Sequence, residues 1–121
     1  MVKVLLDTNI LIDYLNGLEQ AQTVLTRFED KAISLITWME VMIGTTATTV
    51  ADTKLFLATF ELLSIDDAVA AQAVFLRQTK RIKLPDAIIW ATAQMHQRIL
   101  ITRNIKDFAD NEPGVMIPYQ I

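Results

Sequence analysis

Short apolar segments alternate with segments of helical periodicity along almost the whole chain. The apolar runs lie at residues 2–6, 32–35, 62–64, 99–101 and 115–117. Because these runs lack an apolar–polar alternation, they are typical of strands that are buried on both faces. Strands that alternate with helices predict a parallel sheet covered by helices on each side. We therefore expect an α/β fold with three layers (α/β/α) and a short, mostly parallel central sheet of about five strands.

Six or seven helices are expected between these strands. The intervals with helical periodicity are about 9–16, 18–29, 37–44, 48–61, 66–80 and 85–96. Asp7 or Thr8 is expected to cap the first helix, and Thr37 the third. Pro85 suits the first turn of the last helix, where its missing N–H has no partner to lose. The connections should be short, since the chain has only three glycines and three prolines.

Length and composition exclude several kinds of protein. A chain of 121 residues is expected to form one domain, residues 1–121. The absence of cysteine excludes disulfides, zinc–thiolate sites and thiol catalysis. The single histidine, His96, excludes a histidine-rich metal site. No segment approaches the roughly 18 uninterrupted apolar residues of a membrane span, and the start of the sequence does not resemble a signal peptide. We therefore expect a cytoplasmic protein.

The charge is distributed unevenly along the chain. The net charge of 11 − 14 = −3 would by itself argue against nucleic-acid binding. Residues 77–106, however, carry 7 − 1 = +6, and the remainder carries 4 − 13 = −9. The seven cations of this basic window are Arg77, Lys80, Arg81, Lys83, Arg98, Arg103 and Lys106. Such a window fits the approach of a polyanion, although a solvated helix and loop surface is an equally good interpretation.

Three acidic residues stand at the ends of predicted elements. Asp7 follows the first apolar run, Glu40 lies within an apolar helical segment, and Asp86 begins the last helix. Asp7 alone could be a helix cap and Asp86 alone could favour a helix dipole, but Glu40 has no lysine or arginine within eight residues. Ligand sites in open α/β sheets lie at the carboxyl ends of the strands. The three carboxylates therefore predict a site for Mg²⁺ or Mn²⁺.

Other kinds of catalytic site are less well supported. The isolated glycines form no phosphate-binding loop, and no serine has a credible relay of histidine and acid. A phosphoaspartate hydrolase could use Asp7 as a nucleophile, but such enzymes usually have a second acid two residues on, where this chain has Asn9. A metal-dependent nuclease remains the leading hypothesis, with a non-catalytic protein-binding module as its alternative.

Four segments, in this order, resemble a PIN domain, most closely the small VapC-type toxins of bacterial toxin–antitoxin pairs. The segments are LLDTNILI at 5–12, TWMEVMIG at 37–44, LPDAIIWATA at 84–93 and LITRNIKDF at 100–108. The ending at 113–119 also fits, so the resemblance covers essentially the whole chain. It implies an endoribonuclease that depends on Mg²⁺ or Mn²⁺, is usually a homodimer, and is inhibited by a small antitoxin protein.

The resemblance also implies roles for individual residues. Asp7, Glu40 and Asp86 match the first three acidic positions of the family. The fourth is commonly an aspartate after Thr-Arg, where this chain has Asn104, with Asp107 three residues on. We expect Asp7 and Asp86 to bind the metal directly, and Glu40 to bind it through water or to orient the attacking water. Asn104 is expected to orient a metal-bound water and Asp107 to be secondary, as a cap of the local turn.

Further residues are expected to support the site or bind partners. Thr8 and Thr102 would hold the metal ligands in place through their hydroxyls. Three cations would position the RNA backbone without reading bases: Lys83, Arg103 and Lys106. An apolar groove would bind the antitoxin helix, and its expected residues are Ile10, Leu11, Tyr14, Leu15, Leu18, Trp38, Met39 and Met42.

Overall fold

The computed structural model describes residues 1–108 and 112–121. Its strands are β1 Lys3–Leu6, β2 Asp30–Ser34, β3 Glu61–Leu63, β4 Ile99–Ile101 and β5 Val115–Met116. They form one sheet in the order β3-β2-β1-β4-β5, and all four pairings between neighbours are parallel. The prediction of a mostly parallel sheet of about five strands is therefore confirmed.

Six helices connect the strands within the described residues. They are α1 Thr8–Leu15, α2 Glu19–Arg27, α3 Leu35–Ile43, α4 Val50–Leu57, α5 Asp67–Lys80 and α6 Leu84–Met95. The expected cap of α3, Thr37, is wrong, because the hydroxyl of Ser34, three residues earlier, accepts a hydrogen bond from the backbone N–H of Ile36 and caps the helix. No helix in residues 1–108 or 112–121 is both long and apolar enough to cross a membrane.

The sheet separates two hydrophobic clusters, as a three-layer fold requires. Leu5 of β1 packs on the side of α5 and α6, together with Trp90. Its neighbours Val4 and Leu6 point to the other face and pack with residues of α1, α2 and α3, including Leu11. Successive side chains of a strand alternate between faces, so an apolar run such as β1 buries both faces. The three-layer α/β/α prediction is thus confirmed.

The amino ends of the strands are held together by Arg98. Its guanidinium is buried and donates to the carbonyl oxygen of Val4 at 3.2 Å and to Oδ1 of Asp30 at 2.8 Å. A further hydrogen bond of 3.3 Å reaches Oε1 of Glu61, so one side chain joins β1, β2 and β3. Arg98 therefore faces the edge of the sheet opposite the carboxyl ends of the strands. The basic window 77–106 consequently does not form a single surface.

Candidate active site

Asp7 stands where β1 ends and α1 begins. Its backbone N–H extends the pairing with β4 by donating to the carbonyl oxygen of Ile101 at 2.9 Å, and its side chain is 3% exposed. Oδ1 accepts a hydrogen bond from the backbone N–H of Thr8 at 2.7 Å. Oδ2 accepts from the Thr102 hydroxyl at 2.7 Å and from the amide of Asn9 at 3.3 Å. This carboxyl group is thus fixed in one orientation at the carboxyl edge of the sheet.

The surroundings of Asp7 favour its protonated form. Burial raises the pKa of Asp7 to about 6, against the lowering effect of the hydrogen bonds from Thr102 and Thr8. The negative charges of Glu40 and Asp107 raise this pKa further. Burial therefore outweighs the two hydrogen bonds that stabilise the ionised form of Asp7. A site of this kind gains from a cation that would compensate the buried charge.

Glu40 joins the same edge from helix α3. Its Oε1 accepts a hydrogen bond of 2.6 Å from the hydroxyl of Thr8, the first residue of α1. The Thr8 hydroxyl oxygen also lies 3.0 Å from that of Thr37, one turn before Glu40 on the same helix. Thr8 therefore links α1 to α3. Glu40 is half-buried.

Asp86 and Asp107 form a second pair of carboxyls at this edge. Asp86 lies in the first turn of α6, after Pro85, and is half-buried. Burial, a hydrogen bond with Asp107 and the negative charges of Asp7, Asp107 and Glu40 raise the pKa of Asp86 to about 7. Four carboxyls therefore interact at one edge, from the end of β1, from α3, from α6 and from the loop after β4.

Asn104 holds Asp107 in this loop. Its Oδ1 accepts hydrogen bonds from the backbone N–H groups of Lys106 at 3.1 Å and Asp107 at 3.3 Å. Its Nδ2 donates to Oδ2 of Asp107 at 2.8 Å. Asn104 is therefore the residue that caps the local turn, and Asp107 is the one whose charge acts on Asp7 and Asp86. Asp107 was expected to cap this turn, and the residue that caps it is Asn104.

The chemistry of the edge fits a hard divalent cation. Its donors are carboxylate oxygens, which Mg²⁺ and Mn²⁺ prefer. Burial, and to a smaller extent the charges of neighbouring carboxyls, raise the pKa of Asp7 and of Asp86. Among the described residues, no three acidic or histidine side chains already surround one point at coordinating distance. Clustered carboxylates repel one another, and a divalent cation would draw them together.

The three cations expected to contact RNA have different environments. Lys83 and Lys106 are exposed, at the start of α6 and in the loop after β4. Arg103 is instead paired with Asp13, with its Nη2 3.0 Å from Oδ1. Lys106 and Arg103 line a cavity of about 470 Å³ that also includes Asn9, Asn104, Gln120 and Ile121. Two lining residues of this cavity, Asn9 and Asn104, donate hydrogen bonds to Asp7 and Asp107 of the carboxylate edge.

A second cavity begins at Glu40 and runs between α1, α3 and α4. It has a volume of about 330 Å³, and its lining includes Ile12, Leu15, Glu40 and Thr45. Leu15 is 44% exposed, as an apolar groove requires, and Met39 is 38% exposed nearby on α3. The expectation was wrong for two groove residues, Ile10 and Leu11, which are fully buried in the core. Tyr14 is half-buried, because part of its side chain packs against the protein core.

Tyr14 stacks on Phe56, with ring centroids 4.8 Å apart and planes inclined by 10°. Trp38 and Met42 are half-buried against the core cluster that contains Leu6. The apolar lining of this groove therefore comes from fewer residues than expected, and Ile12, which the sequence reasoning missed, is one of them. Its spacing from Leu15 on α1 could have identified it.

Sequence reasoning also missed Asp13 and Tyr119. Asp13 is buried on α1 and accepts hydrogen bonds from the Arg103 guanidinium and from the Tyr119 hydroxyl, the latter at 2.8 Å. Asp13 follows Ile12 in a sequence that reads as an ordinary amphipathic helix. No local signal distinguishes it, because its partners are 90 and 106 residues away along the chain.

The comparisons with known proteins agree with this architecture. The profile of the family described as PIN domain matches residues 4–112. A toxin–antitoxin complex from Klebsiella pneumoniae contains a chain with 50% sequence identity and a TM-score of 0.94, with 98% of this chain and 100% of that chain covered. FitAcB from Neisseria gonorrhoeae has 26% identity and a TM-score of 0.81, with 98% and 99% covered.

A third solved structure is similar in fold. DNA-bound VapBC from Salmonella typhimurium contains a chain with 24% identity and a TM-score of 0.79, and the match covers 97% of both chains. No curated protein sequence matches the chain. The similarity extends over nearly the full length in each case, so it includes every element that carries a carboxylate of the edge.

Proposed function

The chain belongs to the PIN domain family, and from that premise we propose that it is a metal-dependent endoribonuclease and the toxin of a toxin–antitoxin pair. The observation that carries the proposal is the meeting of Asp7, Glu40, Asp86 and Asp107 at one edge of the sheet. The 50% identity to a chain of a toxin–antitoxin complex supports the biological role. Such a toxin would act in the cytoplasm, where its RNA substrates are.

Asp7, Asp86 and Glu40 would hold Mg²⁺ or Mn²⁺. The cation, when bound, lowers the pKa of a coordinated water and stabilises negative charge on the phosphate. The protein contributes orientation: Thr102 and the Thr8 N–H fix both oxygens of Asp7. The Thr8 hydroxyl fixes one oxygen of Glu40. Such outer contacts commonly affect metal affinity or activity by 10- to 100-fold, as order-of-magnitude values.

We infer that Asp107 is the fourth acidic residue of the site. Its charge raises the pKa of both Asp7 and Asp86, whereas Asn104 uses its side-chain oxygen to accept hydrogen bonds from the loop backbone. Asn104 would then act on the site indirectly, through the hydrogen bond from its Nδ2 to Asp107. This assignment replaces the expectation that Asn104 orients the water.

The proposed reaction is hydrolysis of an RNA phosphodiester. Water adds to phosphorus and gives a proton to a carboxylate of the edge, for which half-buried Glu40 is our candidate. The bond from phosphorus to the 3′ oxygen breaks, and that oxygen takes up a proton from solvent. The products are a 5′-phosphate and a 3′-hydroxyl, as the resemblance to the family implies.

RNA would approach along the cavity beside Asn104. Lys106 lines it and is exposed, and Lys83 is exposed at the start of α6, the helix of Asp86. Both can contact phosphates without reading bases. Arg103 also lines the cavity, but its pairing with Asp13 reduces the positive charge that it can offer to RNA.

The antitoxin would lie in the groove between α1, α3 and α4. Ile12 and Leu15 offer apolar surface there, and Glu40 at the end of the groove would place a bound segment next to the carboxylates. An amphipathic helix suits such a groove. The similarity to chains of toxin–antitoxin complexes supports this partner. We also propose that the protein is a homodimer, as the resemblance implies.

The test is cleavage of RNA by the purified protein in Mg²⁺ or Mn²⁺, compared with Asp7→Asn. Asparagine retains the size of the side chain but removes the charge that would hold the cation, so cleavage should be lost while the circular dichroism spectrum is retained. Asp67→Asn, on the exposed first turn of α5, is the matched control and should cleave normally. Metal-dependent cleavage by folded Asp7→Asn would contradict the assignment, and an inactive wild type with a bound antitoxin would favour the non-catalytic binding module.

A further inference from the structure

A buried ionic cluster lies beside the carboxylate edge, on the other side of the loop that follows β4. It consists of Asp13 from α1, Arg103 from the loop and Tyr119 from the segment after β5. Arg103 donates through Nε to one oxygen of Asp13 and through Nη2 to the other at 3.0 Å. The Tyr119 hydroxyl donates to Oδ2 of Asp13 at 2.8 Å. Three distant parts of the chain thus meet at one carboxylate.

The cluster is satisfied as an ion pair. Burial would raise the pKa of Asp13, but the hydrogen bonds from Arg103 and Tyr119 prevail and lower it. The side chain of Asp13 is 8% exposed and that of Arg103 is 30% exposed. A bidentate guanidinium–carboxylate pair fixes geometry as well as charge. Asp13 therefore determines where the side chain of Arg103 lies.

The backbone of Arg103 belongs to the loop that carries the fourth carboxylate. Its N–H faces Oδ1 of Asn9 at 3.4 Å, and the next N–H, of Asn104, donates to the Thr102 hydroxyl at 3.1 Å. Thr102 in turn donates to Asp7. Three residues after Asn104 comes Asp107, which shares a hydrogen bond with Asp86. A displacement of Arg103 would therefore shift Thr102, which holds Asp7, and Asp107, which lies on the same loop.

We propose that Asp13 and Tyr119 are positioning residues, which hold the loop 102–107 against the carboxylate edge by fixing the guanidinium of Arg103. The inference rests on the proposed nuclease function. It also assigns a role to the segment after β5, because Tyr119 brings that segment to Asp13 and its neighbours Gln120 and Ile121 line the adjoining cavity. Neither residue touches the substrate; both act through Arg103.

The test compares Asp13→Asn with Asp30→Asn. Asparagine at position 13 cannot accept at both oxygens, because its NH₂ group would face an Arg103 or Tyr119 donor. Asp30→Asn weakens a similar ion pair, with Arg98, at the opposite edge of the sheet. The two variants are therefore matched in the loss of a buried charge pair and differ in distance from the carboxylates.

The readouts are kinetics and amide exchange. With a quenched fluorescent RNA hairpin as the probe, Asp13→Asn should lower kcat by about 10- to 100-fold, since small misplacements of catalytic groups have effects of that order. KM should change less than kcat, because Arg103 and Lys106 shift with the loop whereas Lys83 at the start of α6 is unaffected. Amide exchange at residues 104–107 should become about tenfold faster, with α5 unaffected. Asp30→Asn should lose stability with kcat and this exchange unchanged.

Tyr119→Phe keeps the ring and removes one hydrogen bond, so it tests the inference if Asp13→Asn does not fold. It should give a smaller fall in kcat with the same change in exchange at 104–107. Unchanged kcat and unchanged exchange in folded Asp13→Asn or Tyr119→Phe would overturn the inference, as would equal effects from Asp30→Asn. If the wild type does not cleave RNA, the proposed function fails, and amide exchange at 104–107 still decides whether the cluster holds the loop.

Discussion

Without divalent cations, the protein should become less stable as the pH rises from about 4.5 to 8. Asp7 and Asp86 have pKa values raised to about 6 and about 7, from an ordinary 3.8. In this interval the folded state binds more protons than the unfolded state, so the free energy of unfolding falls with rising pH. The stabilisation is fully present below pH 3.8 and is lost as the pH passes through the two folded-state values.

The expected size of the effect follows from Asp7. Its pKa rises by 6 − 3.8, about 2 units, and about 1.4 kcal/mol per unit gives about 3 kcal/mol. Asp86 changes stability in the same direction, because burial, the hydrogen bond with Asp107 and the neighbouring negative charges raise its pKa to about 7. A loss of about 3 kcal/mol is large against the roughly 5–15 kcal/mol that stabilises a typical domain.

The assay is urea denaturation in EDTA at several pH values between 4.5 and 8. Asp86→Asn should flatten the pH dependence, because it removes one ionisable carboxyl and its repulsion of Asp7 and Asp107. The control is Asp67→Asn, which should follow the wild type. Asp13 has a lowered pKa, so its contribution is lost only as the pH falls below the chosen interval. A free energy of unfolding that rises steadily from pH 4.5 to 8 would refute this reasoning.

Asp7→Asn is less suitable for this measurement. The Thr102 hydroxyl accepts from Asn9 and from the backbone N–H of Asn104, so its own proton is directed to Asp7. The Thr8 N–H is directed to the other oxygen. An asparagine NH₂ would meet a donor at either position, at a cost of about 1–3 kcal/mol. This cost offsets the relief of repulsion, so the variant should show little net change in stability at pH 8.

Three further predictions concern the metal, the fourth acid and the groove. Mg²⁺ or Mn²⁺ should raise the thermal midpoint of unfolding reversibly, because a hundredfold excess over Kd stabilises the folded state by about 2.7 kcal/mol. No shift in differential scanning fluorimetry at any concentration would contradict a carboxylate metal site. Asp107→Asn should reduce RNA cleavage more than Asn104→Ala, because only Asp107 contributes charge to the edge, and the opposite order in matched kinetic assays would restore the role first expected for Asn104. Leu15→Asp should weaken binding of an antitoxin helix in calorimetry without lowering cleavage, since Leu15 lines the groove and is 44% exposed; unchanged affinity would place the antitoxin elsewhere.

The sequence by itself was enough to predict the architecture and to predict that the carboxyls of Asp7, Glu40 and Asp86 lie at one edge of the sheet. Apolar runs without alternation predicted strands buried on both faces, and the structure has five parallel strands between two helical layers. Because parallel strands end at the same edge, Asp7 after β1 was predictable from its position alone. Glu40 was predictable because no lysine or arginine lies near it in the sequence. Asp86 was predictable because it stands at the start of a predicted helix.

Only the tertiary structure decided the contacts between distant segments. Sequence reasoning expected Asp107 to cap the turn after β4. In the fold, the side-chain oxygen of Asn104 accepts hydrogen bonds from the loop backbone, and Asp107 lies beside Asp86. The basic window 77–106 could not be resolved from the sequence either. Arg98 precedes β4 and Arg103 follows it, so the two side chains lie at opposite edges of the sheet.

The order of strands is the physical reason. β4 pairs with β1, so residues about 90 positions apart become neighbours, and Asp13 meets Arg103 although neither carries a local signal. Periodicity and capping depend on residues a few positions apart and can be recognised along the chain. The pairing of charges across the sheet depends on which strands are adjacent, and that is settled only when the whole core is packed.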